Sequence, residues 1–342
     1  MSRSRLWLTV IGLALSAVAV VTLLRSIDAA DAARRLGATR PAWFLAACVL
    51  TLVGYWLRAL RWGEILSPHG RPAIGRLFSA TMIGFLAINT LPARIGELVR
   101  VYVLARTERL RTATVLGSVA VERIFDLVAL GIFWSLSLLF APYPDWFRWS
   151  GVITLGLGLL MAGAFWAIHA FGGWTWAAEA SALLRWIPER PRLALTAAIP
   201  AFGDGIRVAG RPGVMIRSAL WSAAMWAVNG AVFLLVAEAL GMRLPLWSPL
   251  LLAFVVCVAI LLPSSPGFVG VMEGACVVGL GLLGVEGAEA LAFGLLYHLV
   301  QLLPPILLGS YFAFRGHFGR EILDESPGRG QGGGETSGDS GI

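Results

Sequence analysis

The sequence predicts an all-α polytopic membrane protein. Of its 342 residues, 58% are hydrophobic and 14% are charged, and the mean hydropathy is +0.77. That apolar share exceeds what the core of a soluble domain needs. Uncharged segments long enough to cross about 30 Å of hydrocarbon as helices recur along the chain. We expect about six full transmembrane helices and two broken or re-entrant helical hairpins.

Six segments are predicted to span the membrane because of their length and apolar content. They cover residues 6–24, 43–60, 114–140, 151–171, 218–240 and 288–314. A signal peptide is the alternative for the first segment, although its apolar run is longer than a cleaved signal needs. Residues 25–40 are expected to form a loop, and residues 172–217 a connector with interfacial helices.

Each hairpin is predicted from two short apolar segments that helix-breaking residues separate. The first pair covers residues 77–91 and 95–105, and the second covers residues 250–262 and a piece that ends near residue 283. The breaking residues are Pro92 and Gly96 in the first pair and Pro266, Gly267 and Gly270 in the second. Such breaks are tolerated at membrane depth only beside protein or water, which predicts an internal cavity. For the first pair, the alternative is one ordinary span followed by an interfacial helix.

The distribution of arginine predicts the orientation and the domain organisation. All 27 basic residues are Arg, and they concentrate in the loops of one side, which the positive-inside rule makes cytoplasmic. We therefore expect an integral protein of the inner membrane with both termini in the cytoplasm. Residues 1–315 are expected to form a single transmembrane domain and residues 316–342 a disordered cytoplasmic tail. Residues 43–140 match residues 218–314 in hydropathy, which predicts an inverted repeat.

Several classes of function lack their sequence signals. No basic soluble domain is present for nucleic acid binding, and no cysteine or histidine spacing typical of a metal site or a disulfide framework occurs. The P-loop pattern GxxxxGKS/T is missing, and the chain has no lysine to complete one. We therefore expect no cofactor, and an ion gradient or the lipid gradient itself as the driving force.

The first motif with chemical potential is LPARIGELVR. Arg94, Glu97 and Arg100 follow one another at i, i+3 spacing, so positive, negative and positive groups share one helix face. Two guanidinium groups held by an intervening carboxylate form a plausible clamp for a phosphate, with Arg58 or Arg123 as a further cation. The alternative is a salt-bridged interfacial helix that binds no ligand.

Two further motifs place acids within apolar segments. In SVAVERIFD, Glu122, Arg123 and Asp126 fall early in a predicted span, where unpaired acids are costly, so we expect them to pair with Arg94 or Arg100. Glu273 follows the glycine-rich break of the second hairpin, and His298 or Gln301 is its expected partner. Structural hydrogen bonding and a proton-coupled role are the two interpretations of Glu273.

Taken together, LPARIGELVR, SVAVERIFD and PSSPGFVGVMEG resemble the transmembrane region of lysylphosphatidylglycerol synthases and their stand-alone, flippase-like relatives. The resemblance covers residues 5–315. The full-length synthases carry a soluble aminoacyl-transferase domain after this region, whereas this chain continues into a Gly/Ser-rich tail, so we do not expect lysyl transfer. By motif match, the resemblance marks as important Arg94, Glu97, Arg100, Glu122, Arg123, Asp126, Pro266, Gly267, Gly270 and Glu273.

The resemblance implies translocation of a membrane lipid between leaflets. We expect the lipid to be an anionic phospholipid or a polyprenyl-phosphate-linked lipid, because desolvating a phosphate requires charge pairing throughout. The alternative is a membrane subunit or enzyme that modifies a lipid headgroup, with Glu122, Asp126 or Glu273 as a general base. A lipid-modifying enzyme encoded separately is a further expected partner. No catalytic motif is found, and we do not expect an enzyme.

Overall fold

The computed structural model describes residues 17, 21–22, 27–91, 95–170, 203–205, 211–261 and 264–315. Every regular element in these ranges is helical, as the sequence predicts. The principal helices, in chain order, are α1 (Ala29–Gly37), α2 (Pro41–Leu66), α3 (Ile74–Thr90), α4 (Gly96–Thr107), α5 (Thr112–Ser137), α6 (Asp145–Ala170), α7 (Pro212–Ala239), α8 (Ser248–Leu261), α9 (Val271–Gly281) and α10 (Gly287–Arg315). A 3-10 turn, Pro266–Phe268, precedes α9.

Within the described ranges, three helices are long and apolar enough to cross a membrane, namely α2, α7 and α10. Helix α5 is also 26 residues long but carries the three charged residues of the SVAVERIFD motif near its middle. The long helices agree with five of the six predicted spans to within a few residues at most ends. The first predicted span, residues 6–24, and most of the predicted connector, residues 172–217, lie outside the described residues, as does the tail.

The predicted loop over residues 25–40 is wrong, because it contains helix α1. The carboxylate of Asp28 caps this helix by accepting hydrogen bonds from the backbone N–H groups of Ala30 and Asp31, at 2.9 and 3.1 Å. Asp31 in turn accepts a hydrogen bond from Arg35 one turn later, at 3.1 Å, and this bond lowers the pKa of Asp31. An aspartate at the N-cap and the i, i+4 spacing of Asp31 and Arg35 are signals of a helix in the sequence itself.

The two predicted hairpins are confirmed. Each consists of two short consecutive helices that pack against each other, α3 with α4 and α8 with α9. Their arms have 17, 12, 14 and 11 residues. At a rise of about 1.5 Å per residue, each arm is shorter than the hydrocarbon thickness of about 30 Å. The two hairpins meet in the structure, because α3 contacts the 3-10 turn that precedes α9.

The turns of the hairpins depend on glycine. In the second hairpin, Gly267 and Gly270 have φ values of 70° and 82°, which glycine adopts without strain. In the first hairpin, Gly96 lies so close to α3 that a Cβ atom there would overlap the backbone of Gly84 and Ile88. Pro92, the other predicted breaking residue of this hairpin, lies outside the described residues.

Helix pairings in the two halves of the chain correspond. Helices α2 and α7, the first helices of the two halves, pack together. The first arms of the hairpins pack in a corresponding way, α3 on α10 and α8 on α5. The second arms do so as well, α4 on α5 and α9 on α10. In each half, the first arm of the hairpin therefore contacts the last long helix of the other half. This correspondence supports the predicted repeat of residues 43–140 and 218–314, whose inverted orientation in a membrane stays a prediction.

The outer surface is apolar along the long helices. Leu45 and Val49 of α2 are each 60% exposed, and Leu220 of α7 and Leu307 of α10 are each 65% exposed. Isolated exposed leucines are common in soluble proteins, but here they line successive turns of helices that are long enough to span a bilayer. Polar groups instead converge inside the bundle, as a membrane environment requires.

Candidate functional site

A network of buried ionic groups connects α2, α4, α5 and α7. Its centre is Arg61, which is fully buried. One nitrogen of its guanidinium donates to Asp126 at 2.8 Å and to the hydroxyl of Ser222 at 3.0 Å, and the other lies 3.4 Å from Glu122. A fork of donors that reaches two carboxylates is the geometry in which arginine can be buried at acceptable cost. This group therefore joins three helices.

Arg100 of α4 completes the pairing of Glu122. Its guanidinium donates to the second carboxylate oxygen of Glu122 at 2.5 Å and lies over the ring of Trp62, 4.8 Å from the ring centroid. The indole N–H of Trp62 donates to Ser118 at 3.0 Å. The carboxylate of Glu122 is thus held between two guanidinium groups. The predicted pairing of Glu122 with Arg100 is confirmed.

The network becomes accessible at its rim. Arg123 lies 3.3 Å from Asp126 and 3.8 Å from Glu97 and is 34% exposed, and Arg58 lies 3.7 Å from Asp126 and is 14% exposed. Arg58 also contacts the ring of Phe85, with its guanidinium carbon 5.5 Å from the centroid. At 3.7 Å the Arg58 contact is longer than a hydrogen bond, so donors of its fork are available to a ligand.

Charge does not balance within this network. Four guanidinium groups face three carboxylates among the described residues, which leaves one positive charge in excess. The cations are Arg58, Arg61, Arg100 and Arg123, and the anions are Glu97, Glu122 and Asp126. An anionic group that reached the rim would complete the pairing.

The structure distributes the residues of the predicted phosphate clamp over different environments. Arg94 lies outside the described residues. Arg100 is 1% exposed and directed at Glu122 and Trp62, and Glu97 contacts Arg123 from the rim. Within the described part of the chain, the arginine of α2 that faces open space near Asp126 is Arg58, which the sequence indicated only as a further cation.

A second buried pair lies beside the second hairpin. The imidazole Nδ1 of His298 in α10 is 2.6 Å from one carboxylate oxygen of Glu273, and the other oxygen accepts the backbone N–H of Gly270 at 2.8 Å. Glu273 therefore caps α9 and orients His298 at the same time. The predicted contact between Glu273 and His298 is confirmed, whereas Gln301 bonds to Tyr297 instead, at 3.0 Å.

A cavity of about 140 Å³ lies between the two ionic sites, and residues of both hairpins contribute to its lining. It is lined by Arg58 on one side and by His298 on another, and the Nε2 atom of His298 is buried without a hydrogen-bond partner among the described residues. The remaining polar lining consists of Tyr55, Asn89, Asn229, Tyr297 and Gln301. The predicted internal cavity is therefore present where the hairpins meet.

Two consecutive prolines in α10 shape the wall of this cavity. Pro304 and Pro305 have no backbone N–H, so the carbonyl groups of Val300 and Gln301 receive no helical hydrogen bond from them. The hydroxyl of Tyr55 donates to the free carbonyl of Gln301 across a long distance of 3.4 Å. A polar backbone group thus faces the cavity wall, which an uninterrupted helix would not provide.

An apolar groove of about 640 Å³ runs beside the cavity between α5, α7 and α8. Trp226 and Ala253 line both spaces, and Ser222, which binds Arg61, lies in the groove wall. The rest of the groove is apolar, with Phe133, Leu234 and similar side chains. The cavity combines Arg58, His298 and several neutral polar side chains with a mainly apolar lining, and it shares two wall residues with the apolar groove, so the combined site is amphipathic.

Sequence reasoning missed several residues of this site. Arg61 lies one turn from Arg58 in α2, and the sequence alone did not show which of the two points inward. Asn229 is an amide in the middle of the apolar helix α7, and an intramembrane polar residue is a signal that could have identified it. Tyr55 and Asn89 carry no comparable signal, because their roles depend on how the helices meet.

The comparisons with known proteins agree with the architecture. The chain matches the family described as "Lysylphosphatidylglycerol synthase TM region" over residues 9–309. It is also similar to "Glycosyltransferase AglD" of Haloferax volcanii, with 35% identity over 122 residues. That alignment covers 35% of this chain and 20% of the relative, so it spans only a fifth of that protein's length. The resemblance drawn from the three motifs is confirmed. The protein is a membrane protein from a group associated with lipids, and the chain belongs to the lysylphosphatidylglycerol synthase transmembrane-region family.

Proposed function

We propose that the protein translocates an anionic lipid between membrane leaflets, with the phosphate at Arg58 and a hydrocarbon chain in the apolar groove. The observation that carries this proposal is the shared wall of the polar cavity and the groove at Trp226 and Ala253. A lipid that occupies both spaces keeps its headgroup in a polar site while its chain remains in an apolar one. Orientation with both termini in the cytoplasm of the inner membrane is part of the proposal.

The electrostatics favour an anion over a neutral guest. The ionic network carries one positive charge in excess among the described residues, and Arg58 is its member at the cavity. A phosphate there would accept charge-assisted hydrogen bonds from a guanidinium group whose orientation Asp126 already restricts. The phosphate therefore remains paired while its hydration is removed, which is the main energetic barrier to translocation.

The test is leaflet exchange of an acyl-labelled fluorescent phosphatidylglycerol in proteoliposomes, measured by dithionite quenching. Arg58→Gln should reduce the exchange rate about tenfold, which is what one charge-assisted hydrogen bond contributes. The variant should fold, because Asp126 retains Arg61 and Arg123 as partners. Arg76→Gln is the matched control, since Arg76 is 58% exposed and pairs with Glu108 away from the cavity. Equal rates for the Arg58 variant and the wild type would contradict the proposed path.

A headgroup-modifying enzyme is the second candidate function, and one observation favours it. Glu273 orients His298, a residue of the cavity lining, through Nδ1, and Nε2 is buried without a hydrogen-bond partner among the described residues, an arrangement typical of a general base. Glu122 is unsuited to that role, because guanidinium groups occupy both of its oxygens. Mass spectrometry of the lipids from cells with and without the protein separates the candidates, because an enzyme adds a new lipid species and a translocator does not.

A further inference from the structure

The charges around the cavity are arranged with a consistent polarity. Arg58 and His298 line the cavity, and the carboxylate that each contacts stands behind it: Asp126 lies 3.7 Å from Arg58, and Glu273 lies 2.6 Å from His298. None of the described residues that line the cavity is acidic. Among the described residues of the lining, Arg58 is therefore the permanently charged group that a guest meets, and the two carboxylates lie behind the side chains that line the cavity.

The neutral polar lining has a different chemistry from the ionic network. Asn89, Asn229 and Gln301 supply carboxamide groups, and Tyr55 supplies a hydroxyl. Carboxamides donate and accept hydrogen bonds, which suits hydroxyl groups, since these also do both. A cavity of about 140 Å³ is smaller than a pocket for a whole lipid and corresponds to a compact headgroup.

We infer that the cavity selects a lipid whose phosphate bears a neutral, hydroxylated group, such as a glycerol or a sugar, and disfavours an aminoacylated headgroup. This inference rests on the proposed translocation. The phosphate occupies the Arg58 side, and the hydroxyl groups bind the carboxamides and the free Nε2 of His298. An aminoacyl headgroup brings an ammonium into a buried space where the described lining offers it no carboxylate, and an unpaired buried cation is costly.

Two lipid sources share this chemistry, and the experiment treats them as separate arms. Wild-type protein is reconstituted with acyl-labelled phosphatidylglycerol, with a polyprenyl-phosphate hexose, with lysylphosphatidylglycerol or with phosphatidylethanolamine, and leaflet exchange is measured for each. We expect exchange of one or both of the hydroxylated lipids to exceed that of the two ammonium-bearing lipids about tenfold, because the described lining offers the ammonium no carboxylate. Faster exchange of lysylphosphatidylglycerol would overturn the inference and leave translocation intact. Exchange of no lipid above the empty vesicles would overturn translocation itself.

A substitution in the lining provides the complementary test. Asn229→Asp introduces a carboxylate into the cavity, so the ratio of lysylphosphatidylglycerol to phosphatidylglycerol exchange should rise. Thr90→Asp is the control, because Thr90 follows Asn89 but is exposed. If Asn229→Asp does not fold, Asn229→Leu is measured instead, and it should slow phosphatidylglycerol more than phosphatidic acid, which lacks the hydroxylated group. An unchanged ratio in the folded variant contradicts the inference.

Discussion

Two arginines of α2, one turn apart, differ in what their guanidinium groups contact. Both terminal nitrogens of Arg61 are engaged by Asp126, Glu122 and Ser222 in the interior, whereas Arg58 makes one longer contact to Asp126 and borders the cavity. Both are arginines at membrane depth. The comparison teaches that a buried charge in such a bundle is a binding candidate only where donors remain after the protein's own carboxylates are satisfied.

The largest effect is expected from removal of the carboxylate of Glu122, which Arg61 and Arg100 share in the buried part of the ionic network. Glu122→Ala leaves Arg61 and Arg100 with unpaired buried charge and should lower the free energy of unfolding by about 3–5 kcal/mol. Thermal unfolding in detergent, followed by tryptophan fluorescence, measures this. Glu289→Ala is the control, because that carboxylate is 40% exposed and 3.8 Å from Arg35. Similar losses for the two variants would mean that the buried carboxylate of Glu122 contributes no more to stability than an exposed ion pair does.

An intermediate effect should follow from crowding Arg100. A Cβ atom at Gly84 would lie 2.5 Å from the Cβ atom of Arg100, so Gly84→Ala must displace the arginine or separate α3 from α4. We expect a loss of about 1–3 kcal/mol in unfolding free energy. Gly156→Ala in α6 has no neighbouring atom within 4 Å and should be neutral or stabilising. A neutral result at Gly84 would mean that the first hairpin adapts more easily than its packing indicates.

The smallest effect is expected at an ion pair that lies outside the buried ionic network and outside the cavity. Arg217 donates to Glu64 at 2.6 Å, but its side chain is 56% exposed. Because exposed pairs contribute about 1 kcal/mol or less, Arg217→Gln should change thermal stability little and leave lipid exchange unchanged. A loss comparable with that of Glu122→Ala would show that burial does not rank the ion pairs of this protein.

The hairpins could be predicted from the sequence because proline and glycine interrupt apolar segments that are too short to span. The partners of Glu122 and Glu273 could also be predicted, since acids within apolar helices need a cation or a donor nearby. The loop prediction over residues 25–40 failed because its charges were interpreted as those of a loop, although Asp28 is a typical N-cap residue and Asp31 and Arg35 have the i, i+4 spacing of a helix. The cavity could not be predicted from the sequence, because its lining comes from six helices and the 3-10 turn, and the sequence does not give the rotations of those helices.

The double proline of α10 has a mechanical consequence. Two successive hydrogen bonds of the helix are missing at Pro304 and Pro305, beside the cavity. A bend at this level therefore breaks fewer backbone bonds than a bend elsewhere in the same helix. If a headgroup passes this cavity as proposed, α10 can bend beside it with little further loss of backbone hydrogen bonding.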